Sequence, residues 1–346
     1  MAVAGTPTDL KRLGAQEETT KRRGRSPLAD AWIQLKKNRI ALLSGIFLLI
    51  LSFVAIFADT AVFTVFTGGE AEPLIAPYHY ADVNFRLHDE GLFTRTEEGD
   101  FHLLGVDYLG RDILSRTIYG ARISLTIAIV AATVSLVVGV TYGLISGYSS
   151  ARVDNLMMRF VDFLYGFPLI IFIILVQVYF KALSRGGDSS GIAGFFIEID
   201  RAMGGMFFLF IAIGFLNWLA MARIARGQTL SYKEKEFVDA AKSVGATDRR
   251  IISKHILPNI IGPCIVYETL VIPTYIFLEA FLSFIGLGVN PPIPSWGIMI
   301  SETYRGLSTY PHEVFVPAAA LVLTVLAFNF LGDGLRDAFD PRMRGA

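Results

Sequence analysis

The sequence predicts an all-α polytopic membrane protein with six transmembrane helices. Its 346 residues are 53% hydrophobic and only 18% charged, and the mean hydropathy is +0.51. A soluble domain of this length carries fewer apolar and more charged residues. The apolar residues gather in six long runs, and lysine and arginine concentrate in alternate connecting segments. Together these three observations indicate a chain that crosses a bilayer several times.

Each of the six apolar runs is long enough to cross a hydrocarbon core, which needs roughly 20 residues per helix. The first run follows a basic segment of about 39 residues, and no small-residue cleavage site comes after it, so we expect a retained anchor helix. The predicted spans are residues 40–58, 123–147, 156–180, 206–224, 262–288 and 314–335.

The distribution of positive charge predicts the orientation of the chain. With the N-terminus inside, 22 of the 31 lysines and arginines fall on the inner side, so both termini are expected in the cytoplasm. Five regions follow from this topology. They are a disordered cytoplasmic tail (1–27), an N-terminal region with the first span (28–58), an extracytoplasmic segment ending in an interfacial helix (59–121), a five-helix core (122–336) and a cytoplasmic tail (337–346).

Catalytic and metal sites are not expected. The single cysteine, Cys264, excludes an intramolecular disulfide and a cysteine-based metal cluster. All five histidines fall in predicted loops, and the His-Glu-x-x-His pattern of metalloproteases does not occur. We therefore predict a protein that is not an enzyme, and no feature suggests a nucleic-acid partner.

A basic loop at residues 226–258, between the fourth and fifth spans, is predicted to form two short helices. Ser231 and Glu234 have the spacing of a capping box at a helix N-terminus. The residues that follow at helical spacing form one apolar face: Phe237, Ala240, Ala241 and Val244.

The second half of the loop carries signals for a sharp break and a return to the membrane. Gly245 can adopt the positive φ that ends a helix, and Thr247 can cap the next one. Pro258 is expected to limit the extension of that second helix. An amphipathic linker resting on lipid headgroups would also explain the basic residues and the apolar face. It would not explain the glycine break followed by Leu257 and Pro258.

The spacing within this loop resembles that of permease subunits of ATP-binding cassette (ABC) importers. The family pattern is Glu-Ala-Ala, then a glycine, then an ending in Ile-x-Leu-Pro, and in this chain Asp239 replaces the glutamate while His255 stands in place of the isoleucine. The matching residues are Asp239, Ala240, Ala241, Gly245, Leu257 and Pro258.

Further motifs narrow the resemblance to the C-type permease of dipeptide and oligopeptide importers. They cover the chain from about residue 28 to residue 344 in the order expected of that family. These motifs are LGVDYLGRD (104–112), YGARISL (119–125), FIGLGV (284–289), PIPSWG (292–297), LGDGLRD (331–337) and DPR (340–342).

The resemblance implies a type I ABC importer permease fold in a bacterial or archaeal cytoplasmic membrane. The subunit would form half of a translocation pathway for dipeptides and oligopeptides, beside a homologous B-type permease, two cassette ATPase subunits and an extracytoplasmic binding protein. ATP and Mg would bind to the ATPases, because this chain has no Gly-x-x-x-x-Gly-Lys-[Ser/Thr] loop. Nickel complexes or another small solute are alternative substrates, and an ion-coupled secondary transporter is an alternative class.

The resemblance also assigns roles within the 226–258 loop, which would dock on an ATPase. Asp239 would contact or orient the ATPase surface, Ala240 and Ala241 would allow close approach, and Gly245 would set the angle between the two helices.

Small residues recur every four positions along the second span and predict a close helix–helix contact. Packing within the bundle is the first interpretation, and a contact with a partner permease is the alternative. The stripe consists of Ala131, Ser135, Gly139, Gly143 and Gly147.

Two acids and two prolines inside the spans are further candidates. Glu268 and Glu279 are eleven residues apart and so share one face of the fifth span. Intramembrane acids commonly serve function, so both are candidates for contact with the amino terminus of a peptide. Pairing with an arginine or a backbone group is the alternative. Pro168 and Pro273 are candidate helix kinks.

Overall fold

The computed structural model describes residues 27–61, 71–97, 99–185 and 191–339. Most of the predicted N-terminal tail and all but three residues of the predicted C-terminal tail lie outside these ranges. In chain order the α-helices are α1 (Pro27–Lys37), α2 (Arg39–Ile56), α3 (Ile113–Tyr148), α4 (Ala151–Tyr165), α5 (Leu169–Arg185), α6 (Gly191–Ala202), α7 (Phe207–Lys233), α8 (Glu236–Ser243), α9 (Asp248–Ile251), α10 (Leu257–Phe284), α11 (Trp296–Thr303) and α12 (Pro311–Phe339). Strands β1 (Thr94–Arg95) and β2 (Phe101–His102) form an antiparallel pair.

The helices are long and apolar enough to form up to six membrane spans, as predicted. In the described residues, four helices are each long and apolar enough to cross a membrane: α2, α3, α12 and the continuous run Asp248–Phe284. Two more spans result if α4 with α5, and the two halves of α7, each count as one bent span.

The first span, α2, begins two residues after α1 ends. The Oδ1 of Asn38 accepts a hydrogen bond from the backbone N–H of Ala41 at 3.1 Å and so caps the new helix. α2 lies within two residues of the predicted span at both ends.

The second span, α3, is longer than predicted. Asp112 caps its first turn by accepting a hydrogen bond from the N–H of Ser115 at 2.7 Å. The helix then continues for 36 residues, so the segment predicted as a separate interfacial helix is its first part. Burial explains this extension, because Trp296 packs against Gly120 and donates a hydrogen bond to the carbonyl of Thr117 at 3.1 Å.

The third predicted span, residues 156–180, is bent into two helices near its candidate kink, Pro168. The chain turns at residues 166–168, and the axes of Ala151–Tyr165 and Ile170–Ser184 differ by 75°. Pro168 has no N–H to donate and follows Gly166 by two residues, which explains the break at this place. The predicted kink at Pro168 is therefore confirmed, and it is sharp enough to separate two helices.

The core of the fold surrounds α3. α7 packs along much of the length of α3, and α10 packs against both helices. α12 contacts α2, α10 and α11 and so closes the bundle on the other side. A single large apolar cluster links these helices, with Ile127, Leu209, Ile213, Ile276 and Trp296 at its fully buried centre.

Candidate functional site

The 226–258 loop folds as two short helices separated by a left-handed glycine, as predicted. Gly245 lies between α8 and α9 with a φ of +80°. The predicted start of the first helix is wrong, because Ser231 lies inside α7 and α8 begins only at Glu236. Thr247 is the N-cap residue of α9, but its side chain makes no capping hydrogen bond.

Pro258 begins a long helix and does not end a short one. α9 continues through a π-helical turn, Ile252–Ile256, directly into α10. A proline has no N–H to continue the hydrogen bonds of a helix, and the irregular π-helical turn directly before Pro258 accommodates it. Leu257 packs against the apolar cluster beneath the loop, whereas Pro258 is exposed.

The inner side of the loop is an apolar contact with the ends of α3, α7 and α10. Val238 and Ala241 of α8 are buried, as is Ile251 of α9. They share one cluster with residues of the long helices, namely Val140 and Leu144 (α3), Met221 and Ala225 (α7), and Ile260 and Cys264 (α10). α8 and α9 are therefore packed onto the membrane-spanning helices and do not hang free.

The outer side of the loop forms an open groove of about 520 Å³. Phe237, Ala240 and Val244 line it together with Gly245 and His255. Val244 is 84% exposed and Phe237 is 41% exposed. Of the four residues predicted to share an apolar face, Ala241 alone is buried. Val238 was not predicted as part of that face. It lies beside it on α8 and makes the buried contact with the long helices.

Asp239 stands on the exposed surface of α8. Its carboxylate pairs with Lys242 at 3.0 Å, and both side chains are largely exposed, at 65% and 44%. Such a surface pair contributes little to stability, so the pair does not restrain Asp239 strongly. Ala240 beside it is also exposed and adds only a methyl group to this surface.

Polar contacts that the sequence did not predict join the loop to the end of α3. The Nζ of Lys233 donates to the carbonyls of Tyr148 and Ser149 at 2.8 and 3.2 Å. The hydroxyl of Tyr148 donates to the Oδ1 of Asp248 at 2.7 Å. These partners are separated by 85 and 100 residues in the sequence, so no local pattern signals them.

The small-residue stripe of α3 lies against α7. A Cβ added to Gly139 would lie 2.5 Å from the Cβ of Met221, and one added to Gly143 would lie 2.4 Å from the carbonyl oxygen of Ala222. Gly147 approaches Thr229 in the same way, and Ser135 is fully buried. These two helices approach closely because the stripe has almost no side chains.

Glu268 and Glu279 face the interior of the chain. Glu279 is 0% exposed and accepts hydrogen bonds from the hydroxyls of Ser124 (2.8 Å) and Ser283 (2.6 Å). Glu268 is 4% exposed and accepts from Tyr275 (2.6 Å) and from Ser135 of α3 (3.2 Å). Each acid thus joins α10 to α3 through hydroxyl groups.

At the opposite end of α3, a cluster of charged residues joins the segment that precedes α3 to α3 itself and to α11. The Oε2 of Glu302 accepts from Arg111 at 2.9 Å and from Arg116 at 2.8 Å, and Asp107 accepts from the Nε of Arg111 at 2.7 Å. Arg116 is 1% exposed. Burial raises the pKa of Tyr108 beside this cluster, and the negative charge of Glu302 raises it further. The cluster fixes α11 against α3.

Comparison with known proteins decides the family. Residues 139–345 match the family described as binding-protein-dependent transport system inner membrane component. Residues 26–93 match the N-terminal transmembrane domain of oligopeptide transport permease C. The chain belongs to this permease family.

Curated relatives match the permease over almost its whole length. The oligopeptide transport system permease protein OppC of Haemophilus influenzae is 41% identical over 93% of this chain and 90% of its own length. The dipeptide transport system permease protein DppC of Bacillus subtilis is 38% identical over 95% of this chain and 90% of its own. The glutathione transport system permease protein GsiD of Pectobacterium atrosepticum is 34% identical over 92% and 93%.

A solved structure of the MetNI methionine ABC transporter, in inward-facing conformations, aligns with the permease at a TM-score of 0.48 and 16% identity. The alignment covers 65% of this chain and 97% of the solved chain.

Membership of the family defines the class of protein. The permease is a multi-pass inner membrane component of an ABC importer and a non-catalytic subunit, which works with a partner ATPase and another permease subunit. Among the residues that the structure describes, no group of three or more His, Cys, Asp or Glu side chains could hold a metal ion.

Proposed function

We propose that the permease forms half of the translocation pathway of an ATP-driven importer of dipeptides and oligopeptides. The observation that carries this proposal is the match to named oligopeptide and dipeptide permeases over more than nine-tenths of the chain. Nickel complexes or another small solute, and ion-coupled transport, are not favoured because these relatives belong to peptide ABC systems.

The proposed assembly has four further subunits. A homologous B-type permease supplies the other half of the pathway, two ATPase subunits bind ATP and Mg, and an extracytoplasmic binding protein delivers the peptide. The description of the family as binding-protein-dependent supports the last of these partners. The subunit lies in the cytoplasmic membrane of a bacterium or archaeon.

Both termini are proposed to be cytoplasmic, which places the 226–258 loop on the same side. The loop carries seven of the 22 lysines and arginines of that side, from Arg226 to Lys254. Cytoplasmic connecting segments carry such an excess of positive charge. The ATPase docking site and the charge distribution thus agree on orientation.

We assign the docking of the ATPase to the outer side of α8. The groove there is open and lined by apolar residues together with Arg250 and His255. The inner side of the loop is packed onto three long helices. Asp239 is available to a partner because its surface pair with Lys242 is weak. Ala240 leaves room for close approach, and Gly245 sets the angle between α8 and α9. Ala241 and Leu257 anchor the loop on the apolar cluster beneath it, and Pro258 lies where the loop passes into α10.

For Glu268 and Glu279, burial favours a role in holding α10 to α3. All four carboxylate oxygens accept hydrogen bonds from hydroxyls of this chain. Contact with substrate is the alternative proposal, and it requires a state in which α10 separates from α3. The Glu279 substitutions described in the Discussion distinguish the two.

The function is tested by purification and uptake together. Tagged permease, expressed with the proteins encoded beside it, is expected to co-purify with an ATPase. Proteoliposomes containing this complex, the binding protein and enclosed ATP should accumulate a labelled dipeptide or tetrapeptide. No accumulation should occur with a non-hydrolysable ATP analogue.

Variants at two glycines provide the matched comparison. Gly245→Val places a β-branched residue at a φ of +80°, so the angle between α8 and α9 must change and uptake should fall. Gly227→Ala, in which the new Cβ meets nothing within 4 Å, should transport normally. Uptake that persists without ATP, or a permease that purifies without an ATPase, would contradict the proposed function.

A further inference from the structure

Tyr148, the last residue of α3, contacts both ends of the docking segment. On one side Lys233, the last residue of α7, donates to the Tyr148 carbonyl at 2.8 Å and lies 5.2 Å from the centre of its ring. On the other side the Tyr148 hydroxyl donates to the Oδ1 of Asp248, the first residue of α9, at 2.7 Å. The segment between these contacts is residues 234–247, which contains α8 and Gly245. We call Tyr148, Lys233 and Asp248 the tether.

The contact with Lys233 satisfies groups that a helix end leaves open. The last carbonyls of an α-helix have no intrahelical donor, and the C-terminus carries partial negative charge. The ammonium of Lys233 is within 3.4 Å of the carbonyl of Gly147 as well as those of Tyr148 and Ser149. A charged donor that serves three successive carbonyls fixes the end of α7 to the end of α3.

The contact with Asp248 fixes the far side of the segment. Thr247, the N-cap of α9, makes no side-chain capping bond, so local structure alone does not hold the start of α9. The Tyr148–Asp248 hydrogen bond is charge-assisted, which makes it about twice as strong as a neutral one. The start of α9 is thus held by α3, and its far end is held by its continuation into α10.

Between the two contacts, α8 packs on the same helix. Val238 and Ala241 share an apolar cluster with Val140 and Leu144, which lie one to two turns before Tyr148 in α3. Every strong contact of the docking segment therefore leads to the last three turns of α3 or to the adjoining helices. We therefore expect a displacement of α8 to move α3 while the tether is intact.

We propose that the tether is a positioning element that transmits ATPase movement from α8 and α9 to α3. This inference rests on the proposed docking of an ATPase at α8. Loss of the tether leaves the docking groove intact, because none of its three residues lines that groove. ATP hydrolysis then continues while the movement of α3 that it drives is reduced.

The test compares tyrosine-to-phenylalanine substitutions at two positions of α3. Tyr148→Phe removes the hydroxyl bond to Asp248 and keeps the ring. Tyr142→Phe is the matched control, because the Tyr142 hydroxyl also donates a single hydrogen bond, to the carbonyl of Met157 at 2.8 Å, away from the loop. Each complex is measured in proteoliposomes for ATP hydrolysis, for peptide uptake and for the amount of ATPase retained on purification.

We expect Tyr148→Phe to keep the ATPase and its hydrolysis rate and to lower the peptides transported per ATP on the order of threefold, the effect of losing one exposed hydrogen bond. Asp248→Ala should have the same defect, and the double variant should be no worse, because both remove one bond. Asp248→Asn keeps an acceptor oxygen and should restore coupling. Lys233→Met should also uncouple transport, and Lys233→Arg should not.

Three results would overturn the tether. They are an unchanged transport-to-hydrolysis ratio in Tyr148→Phe, an equal fall in Tyr142→Phe, and loss of the ATPase from the Tyr148→Phe complex, which would assign the residue to docking. Failure of the proposed function is distinct from all three, because the wild-type complex itself would then lack the ATPase or ATP-dependent uptake.

Discussion

The substitution Gly143→Ala tests the close packing of α3 on α7. The new Cβ would lie 2.4 Å from the carbonyl oxygen of Ala222 and 2.7 Å from both the Cβ of Ala225 and the backbone N of Arg226. Two of these three atoms belong to the backbone, so no side-chain rotation can relieve the contact. The two helices must instead move apart.

The expected cost follows from two opposing effects. Overpacking by one methyl group in a well-packed interface costs about 1–3 kcal/mol. Replacing a helical glycine by alanine contributes about 0.5–1 kcal/mol in the opposite direction. The net destabilisation of Gly143→Ala is therefore about 0–2.5 kcal/mol.

Gly227→Ala separates these effects experimentally. Gly227 is also helical, in α7, and its added Cβ meets no atom within 4 Å. Gly227→Ala gains the higher helix propensity of alanine without the overpacking. The difference in unfolding free energy between the two variants is therefore the overpacking cost alone, about 1–3 kcal/mol. Thermal unfolding of the purified permease in detergent, followed by tryptophan fluorescence, measures that difference.

A clear result would refute the packing argument. If Gly143→Ala melts at or above the temperature of Gly227→Ala, α3 and α7 do not approach as closely as the structure shows. A fall in peptide uptake without any change in melting would instead place the stripe at a moving contact, which is the alternative that the sequence left open.

Five more substitutions, at three positions, test other parts of the structure. Glu302→Ala removes the shared acceptor of Arg111 and the buried Arg116, and it should destabilise the permease by about 2–4 kcal/mol, measured as a lower unfolding temperature. Gly245→Ala should destabilise the docking conformation of the loop by about 1 kcal/mol because alanine disfavours a φ of +80°, and Gly245→Asn should destabilise it less. The fraction of ATPase that co-purifies with each variant measures this effect. Glu279→Leu leaves two buried serine hydroxyls without their acceptor and should cost about 1–3 kcal/mol. Glu279→Gln keeps one acceptor and should melt near wild type, and an altered set of transported peptides in Glu279→Gln would favour substrate contact.

The sequence predicted those parts of the fold that depend on local signals. The apolar runs located the spans, since length and hydrophobicity alone determine whether a helix can cross a bilayer. The positive φ of Gly245 was predicted because glycine carries no Cβ penalty in that conformation. The family motifs predicted the class of protein, which the comparison with known permeases confirmed.

Other features depend on long-range contacts and escaped prediction. The outward direction of Phe237 and Val244 could not be read from periodicity, because an eight-residue helix offers two apolar sides and burial selects one of them. Tyr148 and Asp248 are 100 residues apart, so their hydrogen bond has no local signature. The extension of α3 back to Ile113 likewise depends on Trp296 and Glu302, which come almost 200 residues later.

The continuity of α3 has a mechanical consequence. Its 36 residues make a rod of about 54 Å, with Arg116 near one end and Tyr148 at the other. A tilt of only about 10° would therefore displace one end relative to the other by about 9 Å. In the proposed importer, substrate delivery at one membrane surface and nucleotide hydrolysis at the other would thus act on opposite ends of one helix.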